Sequence, residues 1–204
     1  MGVPGYLLKG KTPEQKKVVK YFADNGCLSL FTRMKDDIYE QMVLDKLNSL
    51  NLKQKALGKI GLDEDQLKEI PPVLLHGYNY KDADYTRVGK DDRARSSKYD
   101  AYWLFFSSTQ VYLYGYTFDM TSDSKKERTE EYFYKDITNF STSSESIDAN
   151  KPKGCFGGTT KVTKEYSQFS LIVPGDKFTC PTTGVPNADE SVSAMKQKLR
   201  EKKS

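Results

Sequence analysis

Three short runs rich in aromatic residues, all between positions 99 and 140, constrain the fold of this chain most strongly. The runs are Tyr102–Ser107, Gln110–Phe118 and Glu131–Ile137. Polar segments separate them, and aromatic and β-branched residues favour the pleated, half-buried surface of a β-strand. In the middle run Val111, Leu113 and Gly115 share one face, because strand side chains alternate. This stretch is therefore predicted to form an antiparallel meander.

The chain before this meander, from residue 12 to about residue 70, has the pattern of helices. Thr12 and Gln15 are typical of a capping box, and Pro13 stands at the first helical position. The helices predicted after this one are Asp36–Leu50, Gln54–Ile60 and a turn or two from Asp63. The apolar positions assigned to the second helix are Ile38, Met42, Leu47 and Leu50. The double proline at Pro71 then ends the helical segment.

The remaining segments are assigned from their composition. Val73–Tyr80 is predicted to be a strand, whereas the charged segment Lys81–Lys98 is predicted to be a long exposed loop. The Ser/Thr-rich segment Ser141–Asn150 is predicted to be a mobile loop. The later predicted strands are Thr159–Lys164, Gln168–Val173 and Lys177–Cys180.

The last element is predicted to be an amphipathic helix over residues 188–203. Asn187 can cap it, with Glu190 at the third helical position. Its apolar stripe consists of Ala188, Val192, Met195 and Leu199. A single helix of this length is marginal in water, so this stripe should dock on the sheet.

Composition restricts the classes of function. The net charge of +4 is spread over 60 charged side chains, whereas nucleic-acid-binding domains concentrate basic charge on one face. The chain contains no apolar run long enough for a signal peptide or a membrane span. The three cysteines are odd in number and have no CxxC spacing, which favours reduced thiols. The sequence therefore predicts a cytoplasmic location and argues against a nucleic-acid partner.

The order of about seven strands followed by one amphipathic helix resembles that of pleckstrin-homology-like (PH-like) domains. The resemblance rests on residues 103–119, 131–141, 169–180 and 190–203, and the second of these pieces is similar to a strand-turn-strand of bacterial members. It implies an α+β fold in which an antiparallel β-barrel or sandwich is capped by the helix at 188–203. The implied division is an N-terminal helical segment, 1–70, and a PH-like domain, 71–204. Members of this superfold bind lipids, peptides or proteins.

Neither the single histidine nor the cysteine in the glycine cluster lies in a catalytic pattern. His76 is the single histidine and lies in an apolar strand, which favours a packed structural residue over a general base or metal ligand. Cys155 lies in a glycine cluster that favours a turn, with a nucleophilic thiol as the alternative. The sequence therefore predicts no catalytic residue, no metal site and no cofactor.

The ligand-binding candidates are Lys90, Arg93, Arg95 and Lys98. The spacing Lys90-x-x-Arg93-x-Arg95 resembles the basic motif of phosphoinositide-binding members of the superfamily. Clustered ammonium and guanidinium groups can hold anionic head groups by charge-assisted hydrogen bonds. A solvated loop is the preferred interpretation of these residues, because Asp82, Asp84, Asp91 and Asp92 leave this segment only mildly positive.

The tyrosines of the meander allow two interpretations. Tyr112, Tyr114 and Tyr116 share one strand face and could form a platform for bases or peptides. Basic residues do not interleave with them on the same strand, so aromatic packing across strands is the preferred interpretation.

Taken together, these patterns predict a non-enzymatic binding or adaptor module. Its partner would be a protein or peptide bound along a strand edge beside the final helix. The alternative is peripheral binding to anionic membrane lipid through residues 87–98, and a third hypothesis is a hydrolase or transferase that uses Cys155 or the scattered carboxylates. The sequence leaves open the oligomeric state and whether the N-terminal helices pack on the barrel.

Overall fold

Four α-helices and nine β-strands lie in the described part of the chain. The computed structural model describes residues 3–23, 34–62, 71–153, 158–185 and 188–203. The helices are α1 (Pro13–Ala23), α2 (Asp36–Ser49), α3 (Leu52–Ile60) and α4 (Ala188–Lys203). The strands are β1 (Val73–Asn79), β2 (Thr86–Val88), β3 (Ala94–Ser96), β4 (Lys98–Phe106), β5 (Gln110–Asp119), β6 (Lys125–Phe133), β7 (Asn139–Pro152), β8 (Thr159–Val173) and β9 (Asp176–Pro181). The prediction of an α+β fold is confirmed.

The described strands form three open antiparallel sheets and not the closed barrel that the resemblance allows. The first has the order β1-β4-β5-β6, the second is the hairpin β2-β3, and the third has the order β7-β8-β9. The hairpin is inserted between β1 and β4, so the two larger sheets contain seven strands between them. Strand β1 packs beside β9, where a side chain on Gly77 would overlap the hydroxyl of Thr183. The meander predicted from the aromatic runs corresponds to β4, β5 and β6.

Several local predictions of helix geometry are confirmed. The backbone amide of Thr12 donates to Gln15 Oε1 at 3.0 Å, and the amide of Gln15 donates to Thr12 Oγ1 at 3.2 Å. Helix α4 has the predicted bounds, and Val192, Met195 and Leu199 are buried.

The buried face of α2 differs from the predicted one, because it is formed by Tyr39, Val43 and Leu47 and leaves Ile38 exposed. The helical turn predicted from Asp63 lies outside the described residues.

Three loop and strand predictions were wrong. The segment 81–98 contains β2 and β3, which pair through Arg87↔Arg95 and are held by side-chain contacts to distant helices. The segment 141–150 belongs to β7, whose backbone pairs with β8 along its whole length although its side chains are mostly polar. Residues 159–164 and 168–173 belong to one continuous strand, β8.

The first sheet separates two apolar clusters. Helices α1 to α3 cover one face, where Tyr114, Tyr116 and Phe118 are buried against them. The third sheet and α4 cover the opposite face, where Val111 and Leu113 are buried. The predicted alternation of β5 is therefore correct, and the N-terminal helices pack directly on the sheet. Burial removes Tyr114 and Tyr116 from the proposed binding platform, since a ligand cannot reach them.

No helix in the described ranges is both long enough and apolar enough to cross a lipid bilayer.

Candidate functional site

Arg95 is a structural residue within the hairpin β2-β3. Its side chain is 1% exposed, and its Nη2 atom lies 2.9 Å from Glu40 Oε1 of α2 and 2.6 Å from Asp91 Oδ2. Its Nη1 atom donates to Asp91 Oδ1 at 2.8 Å and to the carbonyl of Arg93 at 3.1 Å. The hydrogen bond from Arg95 is the main reason that the pKa of Asp91 falls to about 2. This guanidinium therefore joins the hairpin to α2 and does not face solvent.

The other three basic candidates occupy different surroundings. Lys90 is exposed at the hairpin turn, where its backbone amide donates to Asp36 Oδ2 at 2.8 Å. Arg93 is 61% exposed and lies 3.4 Å from Glu40 Oε1. Lys98 begins β4, and its Nζ atom donates to the backbone carbonyl of Asp82 at 2.6 Å. The four predicted residues therefore do not converge on one pocket.

A polar cleft of ≈340 Å³ opens where β1, β4, β5 and β6 meet residues of β8 and β9. Lys98 is the predicted site residue that lines it. Other residues that line the cleft are Asn79, Asp100, Thr117, Lys126 and Arg128. The sequence analysis missed these residues. An acid within the apolar strand β4 was the available signal, because alternation places Asp100 on the same face as the buried side chains of Tyr102 and Leu104.

The outer edge of β7 is a second candidate surface. β7 is the outer strand of the third sheet, and the side chains at 142–144 are exposed. Helix α4 lies beside the first half of the strand, where Lys196 Nζ donates to Thr142 Oγ1 at 3.2 Å and the Arg200 guanidinium lies 5.7 Å from the Phe140 ring centre. The hairpin β2-β3 approaches the second half, because Asp92 pairs with Lys151 at 2.9 Å. An open stretch of edge therefore remains in the first half of β7.

The direction of the backbone groups along this edge follows from the strand register. The amide of Thr182 donates to the carbonyl of Ser167, so the backbone groups of Ser167 face β9. Those of the next residue, Gln168, therefore face β7, where the register pairs Gln168 with Ser143. The backbone groups of Ser143 then face β8. Those of its two neighbours, Thr142 and Ser144, point away from the sheet.

His76 is a packed residue with a neutral ring. Its Nδ1 atom lies 2.7 Å from the hydroxyl of Tyr99, and its backbone carbonyl accepts a hydrogen bond from Gly184. Burial lowers the pKa of His76 to about 4 and holds the pKa of Tyr99 above its usual value. The ring and the Tyr99 hydroxyl are therefore both neutral and share one hydrogen bond.

We expect His76 to make the stability of the protein depend on pH. The unfolded chain takes up this proton near pH ~6.5, whereas the folded chain does so only near pH 4. The free energy of unfolding should therefore fall as the pH is lowered from 6.5 towards 4. Urea unfolding at several pH values in this window measures the slope, and His76→Gln should flatten it. An equal slope in this variant would assign the effect to other groups.

Cys180 is the one cysteine within the described residues. Cys180 is a free thiol on β9, and its complete burial raises its pKa well above the usual value. A thiol in that state is a poor nucleophile. Cys155, the residue of the catalytic alternative, lies outside the described residues. Within the described ranges no three His, Cys, Asp or Glu side chains are arranged to hold a metal ion.

Comparison with known proteins finds no matching family model, no matching curated protein and no matching solved structure. The candidate sites are therefore interpreted from their own residues.

Proposed function

We propose that this chain is a non-enzymatic binding module that captures an extended peptide on the outer edge of β7. A four-stranded sheet and a three-stranded sheet are followed by a helix that packs in the second apolar cluster, which is the element order on which the proposed PH-like resemblance rests. The peptide would add to the third sheet as a further strand, which supplies affinity through main-chain hydrogen bonds.

The observation that carries this proposal is the outward direction of the backbone at Thr142 and Ser144. In the described part of the chain, neither amide donates to another group. An edge strand with free amides is a template for a further strand, and natural proteins usually block such edges with charge, proline or bulges. The residues from Ser141 to Ser144 carry none of these features.

Helix α4 gives the outer edge of β7 a preference for acidic peptides. Lys196 and Arg200 lie beside Thr142 and Phe140 and would face the added strand. A peptide with acidic residues near its centre would complement these two cations. The partner is therefore proposed to be an extended, acidic segment of a protein.

Selection from a phage-displayed library of random peptides, followed by titration of the selected peptide, tests the proposal. In Ser144→Pro the outward amide is removed, and we expect the affinity to fall roughly tenfold or more. The fold should be retained, because proline is tolerated where the amide of an edge strand faces solvent. Ser144→Ala keeps the amide and should bind like the wild type. Equal binding by all three proteins would place the peptide elsewhere and reject the proposal.

A second candidate function is peripheral binding to an anionic membrane surface through the hairpin turn. Lys90 and Arg93 are exposed there, and Arg93 lies at 3.4 Å from its carboxylate partner. Such binding should rise with the fraction of anionic lipid and fall with salt. Co-sedimentation with phosphatidylserine and phosphatidylcholine vesicles at two salt concentrations measures it, and a Lys90→Ala/Arg93→Ala variant should lose it. Vesicle binding that ignores salt or survives these substitutions would reject this candidate.

A further inference from the structure

Asp100 is a buried carboxylate inside the polar cleft. Its side chain accepts hydrogen bonds from Asn79 Nδ2, at 3.2 Å and 3.1 Å to its two oxygens, and from Thr117 Oγ1 at 2.6 Å. It forms no ion pair in the part of the chain that the structure describes. Burial is the main reason that its pKa is raised. The charge of Arg128 opposes this rise in pKa, but Arg128 is ion-paired with Glu130 and not with Asp100. A buried carboxylate without an ion-pair partner is costly, so this arrangement favours a ligand that supplies the positive charge.

Two ammonium groups of the cleft also lack a carboxylate partner. The register places Asp100 opposite Thr117 and Thr117 opposite Lys126, so these three residues form one row across β4, β5 and β6. Within the described ranges the Lys126 ammonium group makes no hydrogen bond or ion pair, and the Lys98 ammonium group donates only to the backbone carbonyl of Asp82. The ends of the row are two strand spacings apart, which is about 10 Å.

The other cations of the cleft are already paired. Lys81 lies 2.9 Å from Glu145, Lys125 lies 3.7 Å from Glu127, and Arg128 lies 3.2 Å from Glu130. The Arg128 guanidinium also lies 5.2 Å and 5.0 Å from the ring centres of Tyr102 and Phe178. The groups that can bind a ligand therefore carry both signs of charge, with the buried carboxylate of Asp100 at the base of the cleft and the exposed carboxylate of Asp82 and two ammonium groups nearer solvent.

We propose that this cleft binds a small zwitterion of the α-amino acid class. The ammonium group of the ligand pairs with Asp100, and its carboxylate pairs with Lys126, with Lys98 close by on β4. The volume of ≈340 Å³ lies at the lower end of the range for small-molecule sites. A simple anion would leave Asp100 unpaired, and a simple amine would leave Lys126 unpaired. Both groups on one small ligand satisfy the cleft.

Amide chemical shifts of the full chain, recorded with each proteinogenic L-amino acid at millimolar concentration, test this proposal. We expect at least one amino acid to shift the amides near Asp100, Thr117 and Lys126 in a saturable manner. The amine and the carboxylic acid derived from that amino acid, each lacking one of the two charged groups, should shift them much less. If no amino acid shifts these amides, or if the amine or the acid binds equally well, the proposal is overturned.

Variants locate the two charges. Asp100→Asn and Lys126→Gln should each weaken the binding of the selected amino acid by roughly tenfold or more. Lys126 is exposed, so its variant keeps the test valid even if Asp100→Asn folds poorly. Lys125→Gln is the matched control, because this neighbouring residue also borders the cleft but its ammonium group is paired with Glu127. Unchanged binding by Lys126→Gln, or equal losses in both lysine variants, would overturn the assignment.

Discussion

Replacing Arg95 with methionine should lower the free energy of unfolding by about 2–4 kcal/mol, because it removes a buried guanidinium from two partly exposed carboxylates. The guanidinium is the shared partner of Glu40 on α2 and Asp91 in the hairpin turn. Its loss would leave both carboxylates without their strongest hydrogen bonds. It would also remove one of the contacts that hold the hairpin on α2. A protein of ordinary stability would lose a large part of its margin.

Arg93→Met is the matched control for this prediction. Arg93 precedes Arg95 by two residues and also pairs with Glu40, but it is 61% exposed. Exposed pairs of this kind contribute about 0–1 kcal/mol, so the control should unfold at nearly the wild-type urea concentration. Urea unfolding of the three proteins measures both effects. Similar losses in the two variants would contradict the structural role assigned to Arg95.

Replacing Tyr39 with alanine should cost about 3–5 kcal/mol, the range seen for truncation of large buried aromatic side chains. The Tyr39 side chain is fully buried at the contact between α2 and the first sheet. Its ring stacks on Tyr21 with centres 4.7 Å apart, and its hydroxyl donates to the carbonyl of Ser96 at 2.6 Å. The substitution therefore removes a ring from the helix–sheet cluster and a hydrogen bond to the hairpin together.

Tyr39→Phe separates the two contributions. It keeps the ring and leaves the carbonyl of Ser96 without this donor, so we expect a smaller loss of about 1–3 kcal/mol. Thermal or urea unfolding ranks the two variants. A loss below about 1 kcal/mol in Tyr39→Ala would mean that the helices and the sheet are not stabilised by this contact.

The sequence analysis correctly predicted the elements that are stabilised by residues close together in the chain. Thr12 and Gln15 are three residues apart, so their reciprocal capping bonds are visible as a local pattern. The alternation of β5 and the apolar stripe of α4 are equally local. They predicted both the strand faces and the helix bounds correctly.

The hairpin and β7 were missed because distant partners stabilise them. Arg95 and Glu40 are 55 residues apart, so the sequence pattern of β3 is that of a charged loop. The contact with α2 that stabilises the strand exists only in the folded protein. The polar strand β7 depends on its pairing with β8 rather than on apolar side chains. The cleft was missed for the same reason, because only the register of three strands places Asp100 and Lys126 in one row.

The burial of Arg95 also changes how the basic segment is interpreted. The clustered cations were candidates for binding anionic head groups, but Arg95, the last residue of the motif, is used within the protein. Lys90 and Arg93 remain exposed, and Lys98 belongs to the cleft. A variant that removes Arg95 together with Lys90 would therefore lose binding through unfolding. Tests of membrane binding should keep Arg95.

Backbone amide hydrogen exchange, recorded with and without the library-selected peptide, tests most directly whether the peptide adds to the outer edge of β7. In the free protein the amides of Thr142 and Ser144 point to solvent, whereas the amide of Ser143 faces β8. Saturating peptide should slow exchange at Thr142 and Ser144 by roughly tenfold or more and change Ser143 much less. Peptide binding that leaves Thr142 and Ser144 exchanging as in the free protein would contradict strand addition at this edge.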